Sequence, residues 1–247
     1  QTMPEHAYRY AIPTAYYTQD HIRRYGFHGT SHRYVSERAT QILGHAFTGI
    51  TCHLGNGCSI TAIKDGQSID TSMGFTPLEG VAMGTRSGDI DPAIVLNLAR
   101  KMGIDKTDHL LNRESGLLGL SEKSNDLREL LASAKTGDTK SQLALDVFTY
   151  RIKKYIGSYL AVLGQMDGIV FTGGIGENSP DIRQQILTNL EPLGVQLDPI
   201  INKKCIGQET AISTEHANIK VFVIPTDEER LIARETYQLA NPPHNPA

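Results

Sequence analysis

Two short turns constrain this chain more than any other feature. Gly55-Asn56-Gly57 and Asp65-Gly66 separate three runs of β-prone residues, 47–54, 59–64 and 67–72. Asn-Gly and Asp-Gly are the pairs of tight hairpins, because both central positions take positive φ. The spacing therefore predicts an antiparallel meander. Such a turn has no need of Gly55, so the extra glycine points to something that approaches the backbone closely.

The rest of the chain alternates helix and strand signals. Residues 1–27, rich in Tyr, His and Pro, read as an irregular opening segment. Thr30 or Ser31 caps a helix that Gly44 stops. Further helices are expected over 92–102, in pieces over 105–135 broken at Gly116 and Gly119, and over 181–190 and 228–239. A long amphipathic helix over 139–163 carries Leu143, Val147, Ile152, Ile156, Tyr159 and Leu163 on or near one stripe. Residues 168–172 and 219–224 read as buried strands. The tail, 241–247, holds three prolines and is expected to be loose. Three antiparallel strands followed by alternating helices and strands give an α/β domain with a mixed sheet. No internal repeat or second domain boundary is visible.

Composition narrows the function. A chain of 247 residues, 39% apolar and 21% charged, can bury a sizeable core. Its net charge of −3 argues against a nucleic-acid partner, which needs a basic face. No apolar run is long enough for a membrane span, and no signal peptide is present. Cys52, Cys58 and Cys205 are too far apart for a C-x-x-C site and read as small buried side chains in a reducing, cytoplasmic setting. The chain opens on Gln1 rather than Met and is expected to be a fragment whose upstream part has been removed.

Two glycine-rich bends lie at the ends of predicted strands, Leu54-Gly55-Asn56-Gly57 and Thr172-Gly173-Gly174-Ile175-Gly176. Both let backbone N–H groups approach phosphate oxygens, or let a flat base lie against main chain. Neither is a Walker loop or a dinucleotide fingerprint, and each taken singly also reads as a turn without ligand. Between them, Arg86 in Gly84-Thr85-Arg86-Ser87-Gly88 offers a forked cation for carboxylate or phosphate, with Asp89 or Asp91 able to orient it. A surface ion pair, with Asp91 capping a helix at Pro92, is the alternative.

His28 and His32 stand four residues apart without the Glu of a zinc motif, so a metal there is disfavoured. His28 reads either as a structural histidine or as a donor to a developing anion. Asp126 and Arg128 suit a ribose or base edge, or simply a helix start. Glu228 and Glu229 suit Mg²⁺, or simply a helix dipole.

Together, "RRYGFHGTSHRYV" (23–35), "HLGNGCSITAIKDGQSIDTSMGFTPLEG" (53–80), "GTRSGDIDP" (84–92), "FTGGIGENS" (171–179) and "VIPTDEE" (223–229) resemble the acetate kinase family, part of the wider superfamily of actin, sugar kinases and heat-shock chaperones. The resemblance covers nearly the whole chain. It implies a ribonuclease-H-like fold and reversible phosphoryl transfer between ATP and acetate, giving acetyl phosphate and ADP, with Mg²⁺ as cofactor.

Under that resemblance His28 and Arg86 stabilise the transferring phosphoryl group. His53, Leu54, Gly55, Asn56 and Gly57 form the phosphate-binding hairpin, its glycines clearing space around Asn56. Asp126, Leu127 and Arg128, with Gly173, Gly174, Ile175, Gly176, Glu177 and Asn178, hold the adenosine. Phe27 and Pro77 wall the acetate methyl, and Glu228 is the magnesium-linked carboxylate.

The same resemblance makes 1–229 the C-terminal, nucleotide-binding domain. Residues 230–247 become a terminal helix and tail that return to an N-terminal domain not in this sequence. That domain would supply a catalytic aspartate, a second arginine and an asparagine that works with magnesium. A homodimer is also implied. The alternatives are propionate or butyrate as the acid, or a non-catalytic nucleotide-switch ATPase.

Overall fold

The computed structural model describes residues 2–241; Gln1 and 242–247, the latter most of the tail expected to be loose, lie outside it. Two short helices, α1 (Glu5–Tyr8) and α2 (Thr14–Thr18), occupy the segment read as irregular, each entered from a proline. Helix α3 (Gly29–Leu43) starts ahead of both expected caps. His28, left-handed at φ 57°, takes the N-cap position, and Ser31 is turned to His53 instead.

The meander forms as predicted: β1 (Gly49–Leu54), β2 (Cys58–Lys64) and β3 (Gln67–Thr71) pair antiparallel. Asp65 and Gly66 take φ of 50° and 77°, as their turn demands. Gly55-Asn56-Gly57 departs from the expectation, because none of the three has positive φ. It is a three-residue connection in which Gly55 N–H donates to the Gly57 carbonyl at 3.1 Å. No dihedral angle therefore requires its glycines, and Gly57 answers to space instead.

Four helices follow: α4 (Pro92–Met102), α5 (Ile104–Arg113), α6 (Gly116–Ser121) and α7 (Leu127–Lys135). Gly116 opens α6 and Gly119 lies inside it rather than breaking a helix. The long helix α8 (Thr139–Leu163) buries Leu145, Phe148, Ile152, Ile156 and Tyr159, while Leu143 is exposed, because at its start the buried face runs through Ser141 and Ala144 instead.

Beyond it lie β4 (Gly168–Thr172), α9 (Gly173–Asn178), α10 (Pro180–Leu187), α11 (Pro199–Lys204), β5 (Thr210–Ala211), β6 (Lys220–Val223) and α12 (Glu228–Ala240). The short elements α9, α11 and β5 carry too few residues to show a period.

The sheet order is β3-β2-β1-β4-β6-β5, with β1, β4 and β6 parallel. This is the mixed, ribonuclease-H-like arrangement that the resemblance implied. Alternation along β1 and β2 sends Ile50, Cys52, Leu54, Cys58, Ile60 and Ala62 into the main core with α8. The intervening positions lie beneath α3. Where α3 ends they are apolar, packed with Val35 and Ala39; where it begins they are Thr51, His53 and Ser59.

Helix α12 rests on α3 through buried Leu231 and through ion pairs of Arg234 with Glu37, at 2.5 Å, and of Arg33 with Glu235. Among the described residues no helix is long and apolar enough to cross a membrane. The parallel strands bring the ends of β1, β4 and β6 to one edge of the sheet. Candidate loops from three distant sequence regions meet there.

Candidate active site

The β1–β2 connection anchors the site. Leu54 pairs with Cys58 and His53 with Ser59 across the hairpin. A Cβ built on Gly57 would lie 3.3 Å from Arg86 Nη1 and 3.5 Å from His28 Nε2. The missing side chain thus leaves room for the two residues predicted to act on a phosphoryl group. Gly84 serves Asn56 similarly, since a Cβ there would come within 2.1 Å of Asn56 Oδ1. Asn56 also accepts from Gly84 N–H at 3.1 Å and from Asn125 Nδ2 at 3.0 Å.

His28 stacks on His53 with ring centroids 4.2 Å apart. Burial, then the neighbouring His53 and Arg86, push His28 down to about 4, so it is neutral at physiological pH. Burial lowers His53 in the same direction. Arg86 is not oriented by an aspartate as expected. Its Nη1 donates to the Pro77 carbonyl at 3.5 Å, while Asp89 accepts from Gly80 N–H and Tyr155 Oη and Asp91 caps α4. Without a carboxylate partner among the described residues, the guanidinium keeps its charge available to an incoming anion.

The second half of the site is a cavity of about 690 Å³. Gly55 and Asn56 line one side, Asp126, Leu127 and Arg128 another, and Gly174, Ile175 and Asn178 a third. The two glycine bends thus share one cleft, of a size suited to a small-molecule ligand. Arg128 grips Asp126 bidentately, at 3.0 and 2.6 Å, and that pairing draws the carboxyl down to about 2.

The glycines of the second bend divide their roles. A Cβ on Gly173 would meet the Leu54 carbonyl at 2.7 Å, so this glycine serves the close approach of α9 to β1, whereas one on Gly176 would make only ordinary contact with Phe171 and Cys52, at 3.4 Å or more. Gly174 alone of the three opens on empty space. Glu177 faces inward, accepting from Gly173 N–H at 2.8 Å and Thr226 N–H at 3.1 Å, which ties α9 to the segment that leads into α12.

Phe27 packs partly buried against the core, next to His28 in the chain, and Pro77 sits where its carbonyl meets Arg86. Glu228 opens α12, half-buried at the same edge of the sheet. Among the described residues no group of three His, Cys, Asp or Glu could hold a metal alone. Magnesium asks less of a protein, taking one or two carboxylates together with substrate phosphates and water. Glu228, a single half-buried carboxylate at the start of α12, fits that chemistry in kind, with a nucleotide's phosphates and water completing the set.

Sequence reading missed three groups. Arg183 is fully buried in α10, donating to the Gly176 and Glu177 carbonyls at 2.8 and 3.0 Å, to Asn202, and to the Cys205 carbonyl, so it holds the end of α9. Asn125 fixes Asn56. Thr51, Ser59 and His32 form a polar floor beneath His28, and the alternation of β1 with the hairpin register was the signal that would have found them. All three cysteines are free and buried, as expected.

The model of the Acetokinase family matches residues 1–234, which takes in every candidate residue above. The chain belongs to the acetokinase family. Acetate kinase of Methanosarcina thermophila is 55% identical over 244 residues, covering 97% of this chain and 60% of its own. The crystal structure of acetate kinase from Porphyromonas gingivalis matches with TM-score 0.94 at 46% identity, over 97% of this chain and 61% of that one. A propionate kinase from Francisella tularensis matches with TM-score 0.89 at 46% identity, over 95% of this chain and 60% of that one. The chain spans about 60% of the length of the curated acetokinases it matches.

Proposed function

We propose that this chain is the nucleotide-binding half of an acetate kinase, transferring a phosphoryl group reversibly between ATP and acetate. One observation carries the reading: the phosphate hairpin and the α9 bend border a single cleft, with His28 and Arg86 packed at the hairpin's end. The adenosine lies between Asp126–Arg128 and Gly174–Asn178, and its phosphates run toward Gly57.

Phosphoryl transfer spreads charge over the equatorial oxygens, so fixed donors and cations supply most of the catalysis. Arg86 meets those oxygens with an unpaired guanidinium, and neutral His28 donates from Nε2. Glu228 would hold Mg²⁺, which neutralises nucleotide oxygens when bound. Phe27 and Pro77 form the apolar wall for the acid's methyl group. Transfer is direct and in line, with inversion at phosphorus; retention measured with chirally labelled ATP would sink this route.

The remaining length of the relatives corresponds to an N-terminal domain that supplies a catalytic aspartate, a second arginine and an asparagine. From 230 the chain returns toward it as α12, whose exposed Ile232, Tyr237 and Leu239 suit such a neighbour, while 242–247 lie outside the described residues. The complete protein is a cytoplasmic homodimer on this reading. This chain alone binds ADP and ATP but turns over poorly, since each missing charged group is worth roughly 3 kcal/mol in the transition state.

The test is ADP formation by the full-length protein with and without acetate. Strict dependence on the carboxylate supports a kinase, and equal turnover without it supports a nucleotide-switch ATPase. Similarity to a propionate kinase as well as to acetate kinases keeps the acid's length a separate question. One methylene changes discrimination by only about 1–3 kcal/mol, so a panel of acetate, propionate and butyrate decides it.

A further inference from the structure

Beneath His28 lies a chain of buried polar contacts that the reaction above does not explain. Thr51 Oγ1 is 2.7 Å from His32 Nδ1. His32 Nε2 is 2.6 Å from Ser59 Oγ, which is 2.9 Å from His28 Nδ1. Thr51 and Ser59 are fully buried and His32 nearly so. The far nitrogen of His28, Nε2, points to the hairpin at Gly57, beside Arg86.

Each neutral imidazole carries one N–H, and each hydroxyl has one hydrogen to give. Burial first, then the neighbouring imidazoles and, for His28, Arg86, lower both His28 and His32, so both are neutral. The hydrogens must then all point one way. In one direction Thr51 donates to His32 Nδ1, His32 Nε2 donates to Ser59, and Ser59 donates to His28 Nδ1. His28 is left with its proton on Nε2, facing the site.

In the other direction every donor reverses. The buried Thr51 hydroxyl hydrogen then has no acceptor among the described residues, and a bare Nε2 lone pair faces phosphate oxygens. If Ser59 accepted from both histidines, its own hydrogen would be stranded instead. A buried donor without a partner is disfavoured, which leaves the first direction.

We propose that Thr51, His32 and Ser59 are positioning residues: a one-way hydrogen-bond chain that holds His28 in the Nε2–H tautomer and aims that N–H at the transferring phosphoryl group. The first clause rests on the hydrogen-bond geometry together with the burial that keeps both histidines neutral, and the second rests on the kinase reading above. Thr51 sets the direction from the far end, through a residue that touches no substrate.

Two measurements on the full-length protein test it. The first is ¹⁵N NMR of labelled histidine without ligand, which reports the tautomer of His28. The Nε2–H form is expected in the unaltered protein, and a shift toward Nδ1–H in Thr51→Val, a shape-conserving change, and in Ser59→Ala. An Nδ1–H form in the unaltered protein, or no change in either variant, overturns the chain whatever the enzyme's substrate.

The second is a double-mutant cycle on kcat. Ser59→Ala is expected to lower kcat by at least about tenfold with little change in the ATP KM, but to cost less than about twofold when His28 is already Ala. Equal losses in both backgrounds mean that Ser59 only supports the fold, and they overturn the positioning role. Absence of acetate-dependent turnover in the unaltered protein removes the kinase reading and with it the second clause. The tautomer result stands independently.

Discussion

Gly57 and Arg86 fit each other through a missing atom: a Cβ on the glycine would stand 3.3 Å from the guanidinium Nη1. The glycine's φ is not positive, so alanine brings no backbone strain and its effect is confined to what the methyl touches. Gly57→Ala is therefore expected to displace the Arg86 guanidinium by a few tenths of an ångström and to lower kcat of the full-length enzyme by about tenfold. The thermal midpoint should move by less than about 2 °C. Unchanged kcat would show that this spacing is irrelevant to the chemistry.

Gly174 should behave in the opposite sense for stability. It lies in the first turn of α9 with no neighbour where a Cβ would go, and it borders the cleft. Gly174→Leu removes the helix penalty of glycine, which is worth up to about 1 kcal/mol. The same side chain fills the space assigned to adenosine. A higher unfolding midpoint with at least about tenfold weaker ADP binding by calorimetry is the expected pair of results; tight ADP binding by the variant would remove the nucleotide from this cleft.

These contrasts mark what the sequence could and could not convey. The meander was legible because Asp65-Gly66 carries the φ signature of its turn and because strand alternation is strict. The same rule misjudged Gly55-Asn56-Gly57, where Gly57 answers to Arg86, a residue distant in the chain. Arg86 was legible as a loop cation, but its supposed partners Asp89 and Asp91 were already engaged by Gly80, Tyr155 and α4. Thr30 and Ser31 looked like caps because cap chemistry is local, whereas the bond that claims Ser31 comes from His53 on β1. Arg183 was invisible: an arginine in a short amphipathic helix reads as exposed, and only tertiary packing buries it.

Arg183 leads to a strong prediction. Its guanidinium is fully buried with no carboxylate partner among the described residues, and burial lowers its affinity for the proton. Its donors satisfy carbonyls of Gly176, Glu177, Asn202 and Cys205 and the Asn202 side chain. Arg183→Met would keep the volume and orphan those acceptors, at about 1–3 kcal/mol for each one left dry. A loss of roughly 3 kcal/mol or more in urea unfolding is expected. Arg183→Lys should not rescue it, because one ammonium cannot reproduce a planar fork. Recovery by lysine would mean that charge, not geometry, is what α9 requires.

The buried histidines also set how stability depends on pH. Burial pushes His28, His32 and His53 below their ordinary 6.5, His28 to about 4. Between those values the unfolded chain takes up protons that the folded chain refuses, so stability rises with pH across the window. It is complete above about pH 6.5 and is lost as pH falls toward about 4. Asp126, held near 2, titrates below this range and does not account for the loss. Urea midpoints measured from about pH 7.5 to about pH 4.5 should fall steadily on acidification. His28→Asn isolates one contribution, since asparagine tolerates the left-handed backbone that His28 adopts at φ 57°. Carboxylates common to both proteins cancel in the comparison, so the variant's midpoint should fall less steeply. Parallel slopes for the two proteins would mean that His28 takes up its proton as readily folded as unfolded.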